Sequence, residues 1–277
     1  MADLHPPTTA VATALTIAGS DPSGGAGLQI DLKAFQQNQV YGMAVVTLLT
    51  VQNTQGVHAI KIMPPEWVGS QIDAVLDDIP PQAIKTGALG DVDNIHCVAD
   101  RLADYTGQLV VDPVLVSKHG DRLADDSTVD AYRERLLPQS TLITPNRFEA
   151  ERLLGRSLGA ADRDALTQAA LELGQMGPAC VLLKAGRING LRCHVLVTDG
   201  QAHSIDLPNH DTQQTHGAGC ALSATLTARL ALAVDSGVSL RTAVEFSLAA
   251  VNQAIAHAPG LGSKFGPINA RDLGGPQ

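Results

Sequence analysis

The pentapeptide His216-Gly217-Ala218-Gly219-Cys220 sets a thiol behind three small residues and ahead of an apolar run, Ala221-Leu222-Ser223-Ala224-Thr225-Leu226. Small residues leave backbone N–H groups open, and the run after them reads as the first turns of a helix. Open N–H groups at the positive end of a helix hold anions, and a helix N-terminus lowers the pKa of a cysteine. The segment is therefore expected to form an anion-binding loop with a proton acceptor inside it, a pairing suited to phosphoryl transfer. Two roles compete for Cys220. A covalent nucleophile paired with His216 needs that histidine in hydrogen-bond reach and a third, orienting group. A base for a bound alcohol needs only the anion site and a lowered pKa, and it is the favoured reading.

Further chemistry-bearing residues stand where short apolar runs end. The first run closes in Gly19-Ser20-Asp21-Pro22-Ser23-Gly24-Gly25-Ala26-Gly27. Strand, glycine-rich turn and helix let a backbone approach a ligand closely, although the spacing matches neither a dinucleotide fingerprint nor a Walker loop. The plainer reading is a tight turn, and Asp21 at a strand's carboxyl end argues for a ligand instead. In Val51-Gln52-Asn53-Thr54 two amides could read the edge of a polar ring, or simply form a polar loop. Val111-Asp112-Pro113 and Thr144-Pro145-Asn146-Arg147-Phe148-Glu149 each join a strand to a proline and carry oxygen ligands. Asp112, Asn146 and Glu149 could hold Mg²⁺ directly or through water. Glu149 could equally be a first-turn helix acid and Asp112 a turn acceptor. Lys184 ends a wholly apolar run, where a lysine needs an anionic partner such as a nucleotide phosphate; Lys85 is a weaker candidate of the same kind.

Composition narrows the class. The 277 residues are 44% hydrophobic, 17% charged and only 3% aromatic, so a large aliphatic core is expected rather than disorder. The net charge of −9, without any basic cluster, argues against a nucleic-acid partner. The four cysteines (Cys97, Cys180, Cys193 and Cys220) show no zinc or CxxC spacing, which fits a reduced cytoplasmic protein. Cys97, Cys180 and Cys193 lie in apolar surroundings and are read as inert. No apolar run reaches the ~18 residues of a membrane span, and residues 1–11 read as a loose tail rather than a signal peptide.

Strand-like and helical segments alternate along the rest of the chain. Strands are predicted over 14–18, 44–51, 57–62, 83–85, 109–111, 142–144, 181–184, 193–198 and 203–207. Helices are predicted over 26–37, 65–77, 91–104, 127–136, 147–153, 160–176, 219–233 and 240–257. Runs apolar throughout imply strands buried on both faces. The alternation predicts a three-layer α/β/α sandwich with a mainly parallel central sheet. Three successive strands over 181–207, with Asp199-Gly200 as a hairpin signal, add an antiparallel edge. The segments 120–127 and 155–164 read as surface connections, and 12–277 as a single domain.

With these residues in place the chain resembles the ribokinase-like superfamily, and within it the hydroxymethylpyrimidine/phosphomethylpyrimidine kinase family of thiamine biosynthesis. The likeness runs from about residue 14 to 269 through TIAGSDPSGGAGLQIDLKAF, VYGMAVVTLLTVQNTQGV, IKTGAL, VVDPVLVSKHGDRL, LITPNRFEAERL, VLLKAG and HGAGCALSA. It implies an ATP- and Mg²⁺-dependent, commonly dimeric kinase that phosphorylates the hydroxymethyl group of an aminopyrimidine and then its monophosphate. It assigns Gly217, Ala218, Gly219 and Cys220 to the anion hole, with Cys220 at the position of the base. It assigns Gln52 to the aminopyrimidine, with Asp21, Gly19, Gly25 and Ala88 in the same pocket. Asn146 and Glu149 match a motif tied to Mg²⁺ and phosphate, Asp112 a further acid near the metal, and Lys184 and Thr215 the nucleotide side. Ala88 replaces a methionine that packs on the ring, Ala218 a frequent threonine, and the segments after Lys184 and around 263–267 also depart from the family pattern. Two readings stand beside this one: a pyridoxal-type kinase, made plausible by the wider pocket at Ala88, and a catalytically silent pyrimidine-binding module. A thiol-dependent hydrolase is a more distant option.

Overall fold

The computed structural model describes residues 11–115, 126–159 and 162–275. All but the last residue of the tail expected over 1–11, most of the connection over 120–127 and the start of the helix predicted at 160 lie outside them. Nine strands form one sheet in the order β3-β2-β1-β4-β5-β6-β7-β8-β9. They are β1 (Thr13–Ser20), β2 (Tyr41–Asn53), β3 (Gly56–Ile62), β4 (Ala83–Thr86), β5 (Gln108–Val111), β6 (Leu142–Ile143), β7 (Cys180–Ile188), β8 (Leu191–Thr198) and β9 (Gln201–Pro208). The central ladder from β2 through β1, β4, β5 and β6 to β7 is parallel. The hairpins β7–β8 and β8–β9 give the predicted antiparallel edge.

The opposite edge is antiparallel too, because β2 turns directly into β3. The sequence reading did not expect this second edge. It ended β2 at residue 51, whereas the strand carries Gln52 and Asn53 inside it.

The helices are α1 (Gly27–Gln37), α2 (Pro65–Asp78), α3 (Val92–Arg101), α4 (Asp126–Ala131), α5 (Arg147–Leu154), α6 (Arg163–Gly174), α7 (Ala218–Ser236) and α8 (Leu240–Ala256). The helix predicted over 127–136 is α only as far as Ala131, after which the chain widens into a π turn over Tyr132–Leu136. Two apolar clusters sandwich the sheet: one gathers α2, α3, α5 and α6, the other α1, α7 and α8. In α7 the eight residues 221–228 are all buried. A helix apolar on every side belongs in the interior, and the small side chains Ala221, Ser223, Ala224, Thr225, Thr227 and Ala228 let it pack closely. Its N-terminus is thereby fixed at the sheet's carboxyl edge, where open α/β sheets bind ligands.

One ion pair is sealed inside this frame. Lys85 on β4 and Asp31 on α1 meet at 2.6 Å, both with no side-chain exposure. Thr16 Oγ1 donates to the same carboxylate oxygen at 2.7 Å. Burial works against the lysine's charge, but the facing Asp31 carboxylate holds its pKa above the usual lysine range. Lys85, weighed above as a phosphate ligand, is thus already committed to a protein carboxylate. Removing one member strands the other charge in the core. Lys85→Met is expected to cost ~3–5 kcal/mol in urea unfolding, and Asp31→Leu added to it should restore much of the loss. Equal stability of Lys85→Met and wild type would contradict the assignment.

Candidate active site

The carboxyl ends of the parallel strands open into a cleft of about 1850 Å³. Gly19, Asp21, Gln52, Ala88, Asp112, Asn146, Glu149, Lys184, Thr215, Gly217, Ala218, Gly219 and Cys220 all line it. Gly25 does not. It lies behind the wall, where a β-carbon would stand 2.5 Å from the His216 ring.

The predicted anion loop is present. Gly217 caps α7 in the left-handed region at φ 78°, and a β-carbon there would collide with the Gly25 carbonyl oxygen. Gly27, also left-handed, approaches the Gly19 carbonyl in the same way. The first contact lays the glycine-rich turn before α1 directly against the start of α7, and the second folds that turn back on the end of β1. The Ala218 amide is directed to Thr215 O at 3.3 Å, and that of Ala221 closes the first helical bond to Gly217 O at 2.8 Å. Between them the Gly219 and Cys220 amides make no hydrogen bond among the described residues, as expected of a helix's first turn, and both residues border the cleft.

Cys220 stands at the N-terminus of α7 and close to that of α1, whose Gly27 N–H is among the groups acting on its thiol. Its titration departs from expectation. Burial pushes the thiol up to about 11, against the lowering effects of Lys85 and the Gly27 N–H, while Asp31 and Asp112 add to the rise. Desolvation outweighs the helix terminus, so the free protein carries a thiol at neutral pH rather than the thiolate anticipated from the sequence.

His216 does not serve the thiol. Its Nε2 lies 2.7 Å from Asp21 Oδ2 and 3.3 Å from Gln52 Nε2. Asp21 also accepts from the Ser23 amide at 2.9 Å and the Ala26 amide at 2.8 Å. Burial alone would raise the Asp21 pKa, but the bonds from His216 and Ser23 hold it below the ordinary carboxylate value. Asp21 is thus the clasp of the glycine-rich turn, with both oxygens engaged by the protein. Gln52 projects from β2 on the face that carries Leu48 and Thr50, and with Val57, Ile60 and Ile62 of β3 it walls one end of the cleft. The Ala88 carbonyl on the facing wall is fixed by Thr47 Oγ1 at 2.6 Å.

The acidic end forms one network. Asp112 Oδ1 accepts from Thr144 Oγ1 at 2.9 Å and from Lys184 Nζ at 3.0 Å, and its Oδ2 lies 3.3 Å from Ser223 Oγ. The anionic partner that Lys184 was expected to need is therefore Asp112 in the free protein. The same ammonium stands 3.5 Å from where a β-carbon of Gly219 would be, next to the open amides. Burial opposes the Lys184 charge, but Asp112 and Glu149 raise its pKa. Asn146 and Glu149 form a reciprocal capping box at the start of α5, with bonds of 3.0 and 2.7 Å. Burial, with Asp112 adding to it and Lys184 opposing it, pushes the Glu149 carboxyl up to about 8.

Two participants escaped the sequence reading, Asp31 and Ser223, and the partner of Lys85 was not foreseen. Asp31 on α1 and Lys85 on β4 lie 54 positions apart and meet where α1 packs on the sheet. Ser223, one helical turn beyond Gly219, ties α7 to Asp112.

Comparison with known proteins accords with this geometry. Residues 21–269 match the family model described as phosphomethylpyrimidine kinase. The chain belongs to that family. It is 41% identical to the hydroxymethylpyrimidine/phosphomethylpyrimidine kinase of Bacillus subtilis, over 92% of this chain and 93% of that one. Among solved structures, phosphomethylpyrimidine kinase from Clostridium difficile is 36% identical with a TM-score of 0.76, covering 88% of this chain and 99% of that one. Pyridoxal kinase of Bacillus subtilis in complex with ADP is 33% identical with a TM-score of 0.85, covering 95% of this chain and 99% of that one. The sandwich architecture and ribokinase-like topology expected from the sequence are thus those of its family.

The titration of Glu149 has a measurable sign. An acid held neutral in the folded state, at about 8 against 4.5 for the free side chain, costs stability as pH rises between those values and no more above them. Glu149→Gln should therefore gain stability over wild type from pH 5 to pH 8 in denaturant unfolding, with the two converging below pH 4.5. An unchanged difference across that range would contradict the assignment.

Proposed function

We propose that this chain transfers the γ-phosphoryl group of ATP to the hydroxymethyl group of 4-amino-5-hydroxymethyl-2-methylpyrimidine and then to the resulting monophosphate, a step of thiamine biosynthesis. The observation that carries this reading is the thiol at the mouth of two open helix amides, in a cleft that also holds Gln52 at one end and Lys184 at the other. Gln52 suits the amino and ring nitrogens of an aminopyrimidine, and Ile60, Ile62 and Ala88 supply apolar faces for its ring. The substrate hydroxyl is set beside Cys220. The Gly219 and Cys220 amides meet the oxygens of the phosphoryl group as charge develops on them, donors worth roughly 3–4 kcal/mol in comparable sites. As the new O–P bond forms, the bond to the β-phosphate oxygen breaks and ADP leaves; Cys220 takes the hydroxyl proton as a thiolate, its own proton having first been lost to water once the substrates are bound.

Among the described residues no three acidic, histidine or cysteine side chains cluster as a complete metal cage. Mg²⁺ arrives with nucleotide phosphates and water as most of its ligands, so two neighbouring carboxylates fit it, and Asp112 and Glu149 would hold it directly or through water. When bound it neutralises phosphate charge. Lys184, released from Asp112 toward the nucleotide, does the same from the other side, with Asn146 holding Glu149 in place and Thr215 shaping the loop.

Residues 12–277 act as one domain in this reading, supported by the single continuous sheet. Two copies pair through the outer face of the β2–β3 ribbon, where Leu49 and Val51 are 48% and 60% exposed. Four free cysteines suit the cytoplasm, and among the described residues no helix is long and apolar enough to cross a membrane. Light scattering checks the pairing: a dimer is expected for wild type and a monomer for Leu49→Asp/Val51→Asp, and a wild-type monomer would contradict it.

A second acceptor has a specific basis. The pyridoxal kinase likeness and the short Ala88 side chain leave room for a pyridine ring. ADP release with each acceptor, alone and in competition, decides between them: two equivalents of ADP per hydroxymethylpyrimidine are expected, and turnover of pyridoxal alone would overturn the first reading. Cys220→Ala should lower kcat by ~100-fold or more, in the range of general-base loss, with the KM for ATP nearly unchanged. An undiminished kcat would reject the role given to the thiol.

A further inference from the structure

His216 joins the anion loop to the acceptor end of the cleft. Its amide donates to the Gly266 carbonyl at 3.0 Å, and its own carbonyl accepts from the Ile268 amide at 3.4 Å. The ring is buried, packed against Gly25, and borders the cleft beside Gln52. Its Nε2 meets two groups at once, Asp21 Oδ2 at 2.7 Å and the Gln52 side-chain amide at 3.3 Å. An imidazole nitrogen offers either a proton or a lone pair, never both.

Asp21 decides which. Its Oδ1 accepts from the Ser23 amide and its Oδ2 from the Ala26 amide, so the carboxylate acts as an acceptor throughout. Burial works against its charge, yet the bonds from His216 and Ser23 hold its pKa below the ordinary carboxylate value. A lone pair on Nε2 would face that anion at hydrogen-bond distance. Nε2 therefore carries the proton and donates it to Asp21. The amide nitrogen of Gln52 at the same atom would then oppose donor to donor. The two ends of a glutamine amide have the same shape, and the hydrogen bonds around them decide which is which.

We propose that His216 is a positioning residue for acceptor choice: fixed by Asp21, it holds Oε1 of Gln52 and leaves Nε2 of Gln52 facing the cleft as a donor. Gln52 then reads one pattern, a ring nitrogen with a free lone pair next to an exocyclic N–H that shares Oε1 with His216. A ring presenting N–H next to a carbonyl would need the amide reversed, at the loss of its bond to His216. This rests on the acceptor reading above and names the hydrogen-bond polarity that the pocket selects.

ADP release with 4-amino-5-hydroxymethyl-2-methylpyrimidine and with its 4-oxo counterpart tests it, because the second carries a ring N–H beside a carbonyl. Wild type should prefer the amine in kcat/KM by about 100-fold, the scale of two reversed hydrogen bonds in a buried site. In His216→Leu the amide is free to turn, and the preference should fall below about tenfold. His216→Gln, whose side-chain N–H can replace that of the imidazole, should keep more of it than His216→Leu. A merely structural role would weaken both acceptors together and leave the preference at its wild-type value, which overturns the proposal. A second measurement needs no variant: in ¹⁵N-histidine-labelled wild type the His216 Nε2 should be protonated, and a lone pair on that nitrogen overturns the proposal. Turnover of neither pyrimidine by wild type would instead remove the acceptor reading, while the nitrogen spectrum still decides the bond between His216 and Gln52.

Discussion

The site depends on one close approach of backbone to backbone. The Gly25 carbonyl lies where any side chain at position 217 would have to stand, so the turn before α1 and the start of α7 can touch only because Gly217 has none. That contact brings two helix N-termini to one sulfur, Gly27 from α1 and the Gly219 and Cys220 amides from α7. The aspartate clasp of the glycine-rich turn and its bond to His216 hold the same junction from the other side. Preorganised donors of this kind need no rearrangement as charge develops. The buried α7 supplies the rigidity, since its first turn cannot shift without disturbing eight consecutive buried residues.

Charge in the cleft is arranged in depth. Lys85 and Asp31 have no exposed side-chain surface, while Lys184, Asp112 and Glu149 form a second, nearly buried charged layer that lines the cleft. In the lower pair Asp31 Oδ2 takes both Lys85 and Thr16, while its Oδ1 is buried with no hydrogen-bond partner among the described residues. The upper layer contains one ammonium and two crowded carboxylates, and that crowding together with burial keeps Glu149 protonated to about pH 8. A site short of positive charge when empty is suited to a substrate that brings a cation with it. The thiol, raised to about 11, already holds its proton in the free protein, so it can act on a hydroxyl only after losing it.

Much of this was legible along the chain. Alternating apolar runs gave the layered architecture, Asp199-Gly200 marked one hairpin, and the residues at strand ends proved to line a single cleft. What escaped has physical causes. Asn53-Thr54-Gln55 lacks a strong hairpin signature, so the β2–β3 edge went unseen. Asp31 and Lys85 meet only through the packing of α1 on the sheet, which no local pattern reports. The helix-terminus rule predicted a lowered thiol pKa because it counts the dipole and not the desolvation that overrides it here. Asn146 and Glu149 carried two signals at once: the capping box that starts α5 is also the acidic corner of the cleft, and spacing alone does not separate the two.

The most direct measurement is a crystal structure with hydroxymethylpyrimidine and AMP-PCP bound together. The expected result is a hydroxymethyl oxygen about 3–3.5 Å from the Cys220 sulfur, a near-attack distance, with the terminal phosphoryl oxygens on the Gly219 and Cys220 amides. A pyrimidine seated with its hydroxymethyl group turned away from Cys220, or a terminal phosphate held elsewhere, would contradict the role of this junction.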